Sequence, residues 1–122
     1  MYAIVDIETT GGHASANGIT EIAICIHNGK KVVERYSTLV NPGRDIPIYI
    51  SALTGITNDM VQKAPPFEDV AHDVYHLLNN NIFVAHNVNF DFSFVRHHLA
   101  AAGYELRCNK LCTVRLGRKI MP

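Results

Sequence analysis

Long apolar runs, a charge excess of either sign, paired cysteines and linker-like sequence are all missing from this 122-residue chain. No stretch approaches the roughly 20 apolar residues of a membrane helix, so a membrane protein is not expected. The first residues run straight into apolar sequence without a basic leader, which gives no expectation of secretion. Cysteine occurs only at Cys25, Cys108 and Cys112. That odd number, at these spacings, suits neither a disulfide framework nor a zinc site, and reduced thiols in a cytoplasmic protein are expected. Lys+Arg and Asp+Glu balance at 11 each, whereas proteins that grip duplex nucleic acid over a wide footprint are usually basic. A hydrophobic content of 48% and a mean hydropathy of +0.05 describe a globular chain, and the length suits one core. Without repeats, low-complexity tracts or linkers, residues 1–122 are expected to form a single domain.

What is present is a clear succession of periodic segments. Residues 2–7 read as a buried strand, 19–27 as a second, and 32–40 as a third, with Asn28-Gly29 as the hairpin turn between the last two. Helical character begins near Ile48 and is interrupted at Gly55. Thr57-Asn58-Asp59-Met60 looks like a short helix start. After Pro65-Pro66, the apolar residues Phe67, Val70, Ala71, Val74 and Leu78 mark one face of an amphipathic helix. Residues 82–85 form a short buried strand, and Asn87 or Asn89 caps a helix that stops at Gly103. Leu106 to Asn109 reads as a last strand and Leu111 to Ile120 as a helix. An antiparallel three-strand meander followed by αβ units implies an α/β fold, a mixed sheet with flanking helices.

Three acids stand out against this apolar pattern, two at the end of the first strand and one on the inward side of a helix. Asp6 and Glu8 end the first strand at i, i+2, so both point to one face with Cα atoms roughly 6–7 Å apart. Two carboxylates so placed are either solvated acids before a glycine turn or ligands for a divalent cation, with Mg²⁺ and Mn²⁺ favouring carboxylate oxygen. Asp91 falls on the inward side of its helix between Phe90 and Phe92. It either complements the helix dipole or needs a partner or a metal. Three acids from two segments suit metal-assisted phosphoryl chemistry, in which paired cations stand roughly 3.5–4 Å apart.

The motifs together resemble the DEDD-type 3′–5′ exonucleases of ribonuclease H-like fold, most nearly the proofreading epsilon subunits of bacterial DNA polymerase III. The first motif stands here as Asp6-Ile7-Glu8-Thr9-Thr10-Gly11 and the second as His86-Asn87-Val88-Asn89-Phe90-Asp91. Ile19 to Ala23, Leu53-Thr54-Gly55-Ile56-Thr57 with Pro66-Phe67, and Cys112-Thr113 to Pro122 resemble the intervening and following segments. Thr54 stands where histidine is common. The resemblance implies two Mg²⁺ or Mn²⁺ ions on Asp6, Glu8 and Asp91. It implies substrate contacts at Ile7, Thr9, Thr10, Leu53, Ile56, His86, Asn87 and Phe90, with Leu53 or Ile56 wedged against the terminal base. Water activated at the metal pair would attack the last phosphodiester and release a nucleoside monophosphate from a single-stranded or frayed DNA 3′ end. Polymerase subunits are the partners it suggests.

The family's third motif, a His or Tyr base and a fourth Asp, has no match. Asp45, Asp59, Asp69 and Asp73 precede the second motif, and neither His97 nor His98 is assigned as the base. A C-terminally truncated domain lacking one helix is therefore expected, with apolar surface that favours self-association. A catalytically incomplete binding module and an exoribonuclease stand as alternatives. His72 and His76, at i, i+4, are expected on a solvated face, and Cys108 and Cys112 as small buried hydrophobes. Arg115, Arg118 and Lys119 either touch phosphate or lie on a solvated face.

Overall fold

The computed structural model describes residues 1–112. Its centre is a five-stranded mixed sheet in the order β3-β2-β1-β4-β5. The first three strands, β1 (Tyr2–Thr9), β2 (Ile19–His27) and β3 (Val32–Leu39), form the expected antiparallel meander. The Asn28 side chain closes the second hairpin by accepting from the backbone N–H groups of Lys30 and Lys31 at 2.8 and 3.0 Å. Then come α1 (Ile48–Thr54), α2 (Asn58–Gln62), α3 (Phe67–Leu78), β4 (Ile82–Ala85), α4 (Val88–Ala101) and β5 (Lys110–Cys112). β4 pairs parallel to β1, and β5 parallel to β4.

Strict alternation on β1 decides which face is covered. Ala3, Val5 and Ile7 are buried, and their register partners Ile26, Ile24 and Ile22 are buried with them. Val70, Ala71, Val74 and Leu78 of α3 and Phe94, Val95 and Leu99 of α4 complete this core, with Phe83 and Ala85 of β4. The opposite face of β1–β3 is covered by no helix among the described residues. It exposes Tyr2, Ile4 and Val33 at 38–45% of their full surface. A separate small cluster of Ile46, Ile56 and Val61 anchors α1 and α2. Gly55 ends α1 in the left-handed conformation at φ 77°, which is why helical character breaks there.

Two sequence expectations are corrected. Leu106 to Asn109 is not a strand; it is an extended approach with Leu106 in the core. The ladder begins at Lys110 because parallel pairing must match Phe83–Ala85. Leu111 and Cys112 therefore belong to β5 rather than to a helix, and the rest of that expected helix lies outside the described residues. Asn87 does occupy the N-cap of α4, but its side chain makes no capping bond. His72 and His76 are exposed. Cys108 and Cys112 are only partly buried.

Candidate active site

The site forms where β1 and β4 part. Their parallel pairing covers only Tyr2–Ile4 against Ile82–Val84. Beyond it, β4 ends at Ala85 and the chain turns at His86-Asn87 into α4. The second half of β1, carrying Asp6 and Glu8, is thus flanked by β2 on one side and the first turn of α4 on the other. In open α/β sheets, ligand sites form outside the carboxyl ends of strands, where neighbouring connections diverge.

Asp91 is the buried member, 7% exposed. The backbone N–H of Ile7, left without a β4 partner, donates to its carboxylate. Burial pushes the Asp91 carboxyl up to about 6. The Ile7 N–H and its own N–H oppose this, while the negative charges of Asp6 and Glu8 reinforce it. Glu8 is also raised, first by burial, then by Asp6 and by Glu21, which sits directly across from it on β2. Asp6 is exposed on the same face of β1 as Glu8. The structure therefore brings Asp6, Glu8 and Asp91 within electrostatic reach of one another. Among the described residues the one ion pair is Arg107–Glu105, so no side-chain cation neutralises the three. No three of the described His, Cys, Asp and Glu residues cluster tightly enough to grip a single ion. A like-charged, partly desolvated set of this kind is one that divalent cations relieve.

The other residues singled out by sequence fall into different places. Thr10 is 2% exposed. Its hydroxyl is held between Asn17 Oδ1 at 2.9 Å and the Gly18 N–H at 3.1 Å. It shapes the loop and is not free to meet a substrate. Thr9 is also buried and donates to the Gly11 carbonyl at 2.8 Å. Ile7 is buried, and its N–H is engaged by Asp91. Of the two wedge residues, Ile56 is 4% exposed within its cluster and cannot reach a base, whereas Leu53 is 82% exposed. His86 and Asn87 lie exposed at the turn into α4. Phe90 is half-buried against Phe94, with ring centroids 4.9 Å apart.

A network that the sequence did not announce fixes the loop after β1. Asn17 Nδ2 donates to the His13 carbonyl at 3.0 Å. His98 Nε2, from the far end of α4, lies 3.0 Å from the Asn17 carbonyl oxygen. Burial lowers the His98 pKa, the bond to Asn17 opposes this, and His97 and Arg44 lower it further. Arg44 donates to the Ala16 carbonyl. A side chain on Gly11 would meet Asn17 Oδ1 at 2.5 Å, which explains the glycine there. The Gly11 and Asn17-Gly18 turn signals mark this loop in the sequence, but nothing local links it to His98.

The exonuclease family model of the RNase T type matches residues 3–122. The chain belongs to this exonuclease family. The 3′–5′ exonuclease DinG of Bacillus subtilis is 42% identical over 99% of the chain, and that of Staphylococcus aureus is 36% identical over 90%. The chain spans 13% and 12% of the length of these relatives. A solved exonuclease X, in complex with 5′ overhanging duplex DNA, matches with a TM-score of 0.78 and 34% identity, covering 100% of this chain and 65% of that one. Exonuclease I matches the fold with a TM-score of 0.84 at 16% identity, over 97% of this chain and 29% of its own. The ribonuclease H-like fold expected from the motifs is thereby shown, and exonucleases of this DEDD type generally use divalent metal ions.

Proposed function

We propose that this chain is the nuclease module of a divalent-metal-dependent exonuclease that removes nucleoside monophosphates from DNA 3′ ends. The carrying observation is the acid set: Asp6, Glu8 and buried Asp91 lie within electrostatic reach of one another with no ion-pairing side chain among the described residues. Asp6, Glu8 and Asp91 between them would hold two divalent ions, Mg²⁺ or Mn²⁺. That arrangement does not need all three acids on a single ion. When bound, such a pair activates water and neutralises the leaving oxygen.

The chain's own residues set the frame. The Ile7 N–H fixes the Asp91 carboxylate, and β1 fixes Asp6 and Glu8 in register. Leu53 offers an exposed apolar side chain to the terminal base, and His86, Asn87 and Phe90 line the turn beside the acids. A general base and a fourth acid are supplied by residues other than those described here. DNA is favoured because the solved exonuclease X, 34% identical, is bound to DNA. The DinG relatives, named as 3′–5′ exonucleases and matched over about an eighth of their length, favour a module of a longer, end-processing protein. Proofreading beside polymerase subunits is the narrower reading, supported by the motif resemblance.

The test is release of mononucleotides from 5′-labelled single-stranded DNA, with RNA of the same sequence alongside, in Mn²⁺ or Mg²⁺. Stepwise shortening of DNA from its 3′ end, lost in Asp6→Ala while circular dichroism is unchanged, is expected. Cleavage by Asp6→Ala at the wild-type rate would overturn the metal assignment.

A further inference from the structure

The overall charge balance hides a strong division along the chain. Of the 11 Lys+Arg residues, six follow Asp91, whereas ten of the 11 acids lie at or before it. Arg96, Arg107 and Lys110 lie in the described part, with Glu105 as the lone acid, and Glu105 is paired with Arg107 at 3.3 Å. Arg115, Arg118 and Lys119 lie outside the described residues.

The described cations share one edge of the molecule. β5 is the edge strand of the sheet, and Lys110 Nζ stands 3.5 Å from Asn89 Oδ1 and 4.9 Å above the Phe92 ring. Asn89, Phe92 and Arg96 follow at i, i+3 and i+7 on α4, so they lie along one stripe. Arg96 is exposed and borders a surface hollow with Tyr104, Leu106 and Glu105, the acid that Arg107 pairs. Neither Arg96 nor Lys110 has an acidic partner within salt-bridge distance among the described residues. The stripe starts at exposed Asn89, in the same first turn of α4 as buried Asp91 but on another side of the helix, and follows the helix away from that turn. From Asn89 to Arg96 the helix rises about 10 Å, which is the axial length of about three phosphates in a stacked strand.

We propose that this α4–β5 edge binds the phosphodiester backbone of the strand whose 3′ end enters the acid site, with Lys110 and Arg96 on separate phosphates of that strand and Asn89 beside Lys110. The inference rests on the nuclease reading above and adds a track to it. The acids repel the strand and rely on cations to receive its end. The basic edge attracts the strand, so a neutral chain can hold DNA through separated charges. Phosphate contacts of this kind position the strand without reading its sequence.

The test is equilibrium binding of 5′-fluorescein oligodeoxythymidylate to this chain in EDTA, from 50 to 200 mM salt. Arg96→Gln combined with Lys110→Gln should weaken binding and flatten the log–log salt slope by about 1.4, two phosphates at about 0.7 each for a single strand. Across that fourfold salt range wild type should then lose about sevenfold more affinity than the variant. Arg96→Lys with Lys110→Arg should keep the wild-type slope. Lys30→Gln with Lys31→Gln, the same charge change at the remote hairpin turn, should leave it unaltered. Equal slopes for wild type and the Arg96/Lys110 glutamine variant, or an equal flattening in the hairpin variant, would overturn the track. Wild type that shows no salt-dependent binding at all in EDTA would also overturn the track, whereas the nuclease reading falls only if the chain with Mn²⁺ or Mg²⁺ fails the cleavage assay above.

Discussion

Asp91→Asn should stabilise the metal-free protein, and the size of the effect follows from the site. The folded chain raises this carboxyl from 3.8 to about 6. Ionising it therefore costs on the order of 3 kcal/mol as an upper bound, and about 2 kcal/mol once solvent screening beside exposed Asp6 is allowed for. The sign is unusual for an aspartate. The native state binds the proton more tightly than the unfolded state, so stability falls as pH rises from about 4 through about 6. Asparagine keeps the shape and can still accept from the Ile7 N–H, but carries no charge. In EDTA at pH 7.5 the variant should melt roughly 8 °C above wild type, at about 4 °C per kcal/mol for a domain of this size. The gap should close as pH falls below about 4, where both side chains are neutral. Divalent metal should reverse the order, since a ligand at 100 times its Kd adds about 2.7 kcal/mol to whichever protein binds it. Thermal unfolding followed by circular dichroism across pH, with and without Mn²⁺, measures all of this. A variant no more stable than wild type in EDTA at pH 7.5, or a gap independent of pH, would refute the reasoning.

Gly18→Ala should cost about 1–3 kcal/mol, because its Cβ would meet the Pro42 backbone oxygen and Cβ, each at 2.7 Å; an unchanged urea midpoint would contradict this. His98→Ala should loosen the loop over residues 10–18 by removing the bond to the Asn17 carbonyl, worth about 1 kcal/mol. Hydrogen exchange should show faster exchange at the Gly18 amide, and unaltered protection there would count against the latch. The open face that exposes Tyr2, Ile4 and Val33 should make the chain self-associate as its concentration rises. A monodisperse monomer by light scattering would exclude that.

Legibility in the sequence followed the range of the forces involved. β1 to β3 and α3 were readable because alternation and helical spacing are local consequences of burial on one face. Asp6 and Glu8 stood out as two acids spaced i, i+2 on one face of an apolar strand, and Asp91 as an acid on the inward side of its helix, where the structure buries it. β5 was misplaced because Leu106 and Cys108 alternate like a strand, while the true register is set by Phe83–Ala85 on another element. Ile56 and Thr10 were read as substrate contacts by resemblance. Ile56 is instead buried with Ile46 and Val61, and the Thr10 hydroxyl is held by Asn17 and Gly18. Nothing local marked His98, because its partner Asn17 lies far back in the chain and only the packing of α4 on the sheet brings them together.

β1 precedes the other strands in the chain yet lies in the middle of the sheet. β1 sits between β2 and β4, and the Ile82 N–H reaches back to the Met1 carbonyl at 2.9 Å. During synthesis the meander can close early through its hairpins, but the far side of β1 stays open until β4 and α4 emerge. Until Asp91 emerges, Asp6 and Glu8 lie beside an open strand edge, without the buried carboxylate that later confines them. Only the arrival of Asp91 on the Ile7 amide sets a third carboxylate beside them, so these three acids come together only after β4 and the start of α4 have been made.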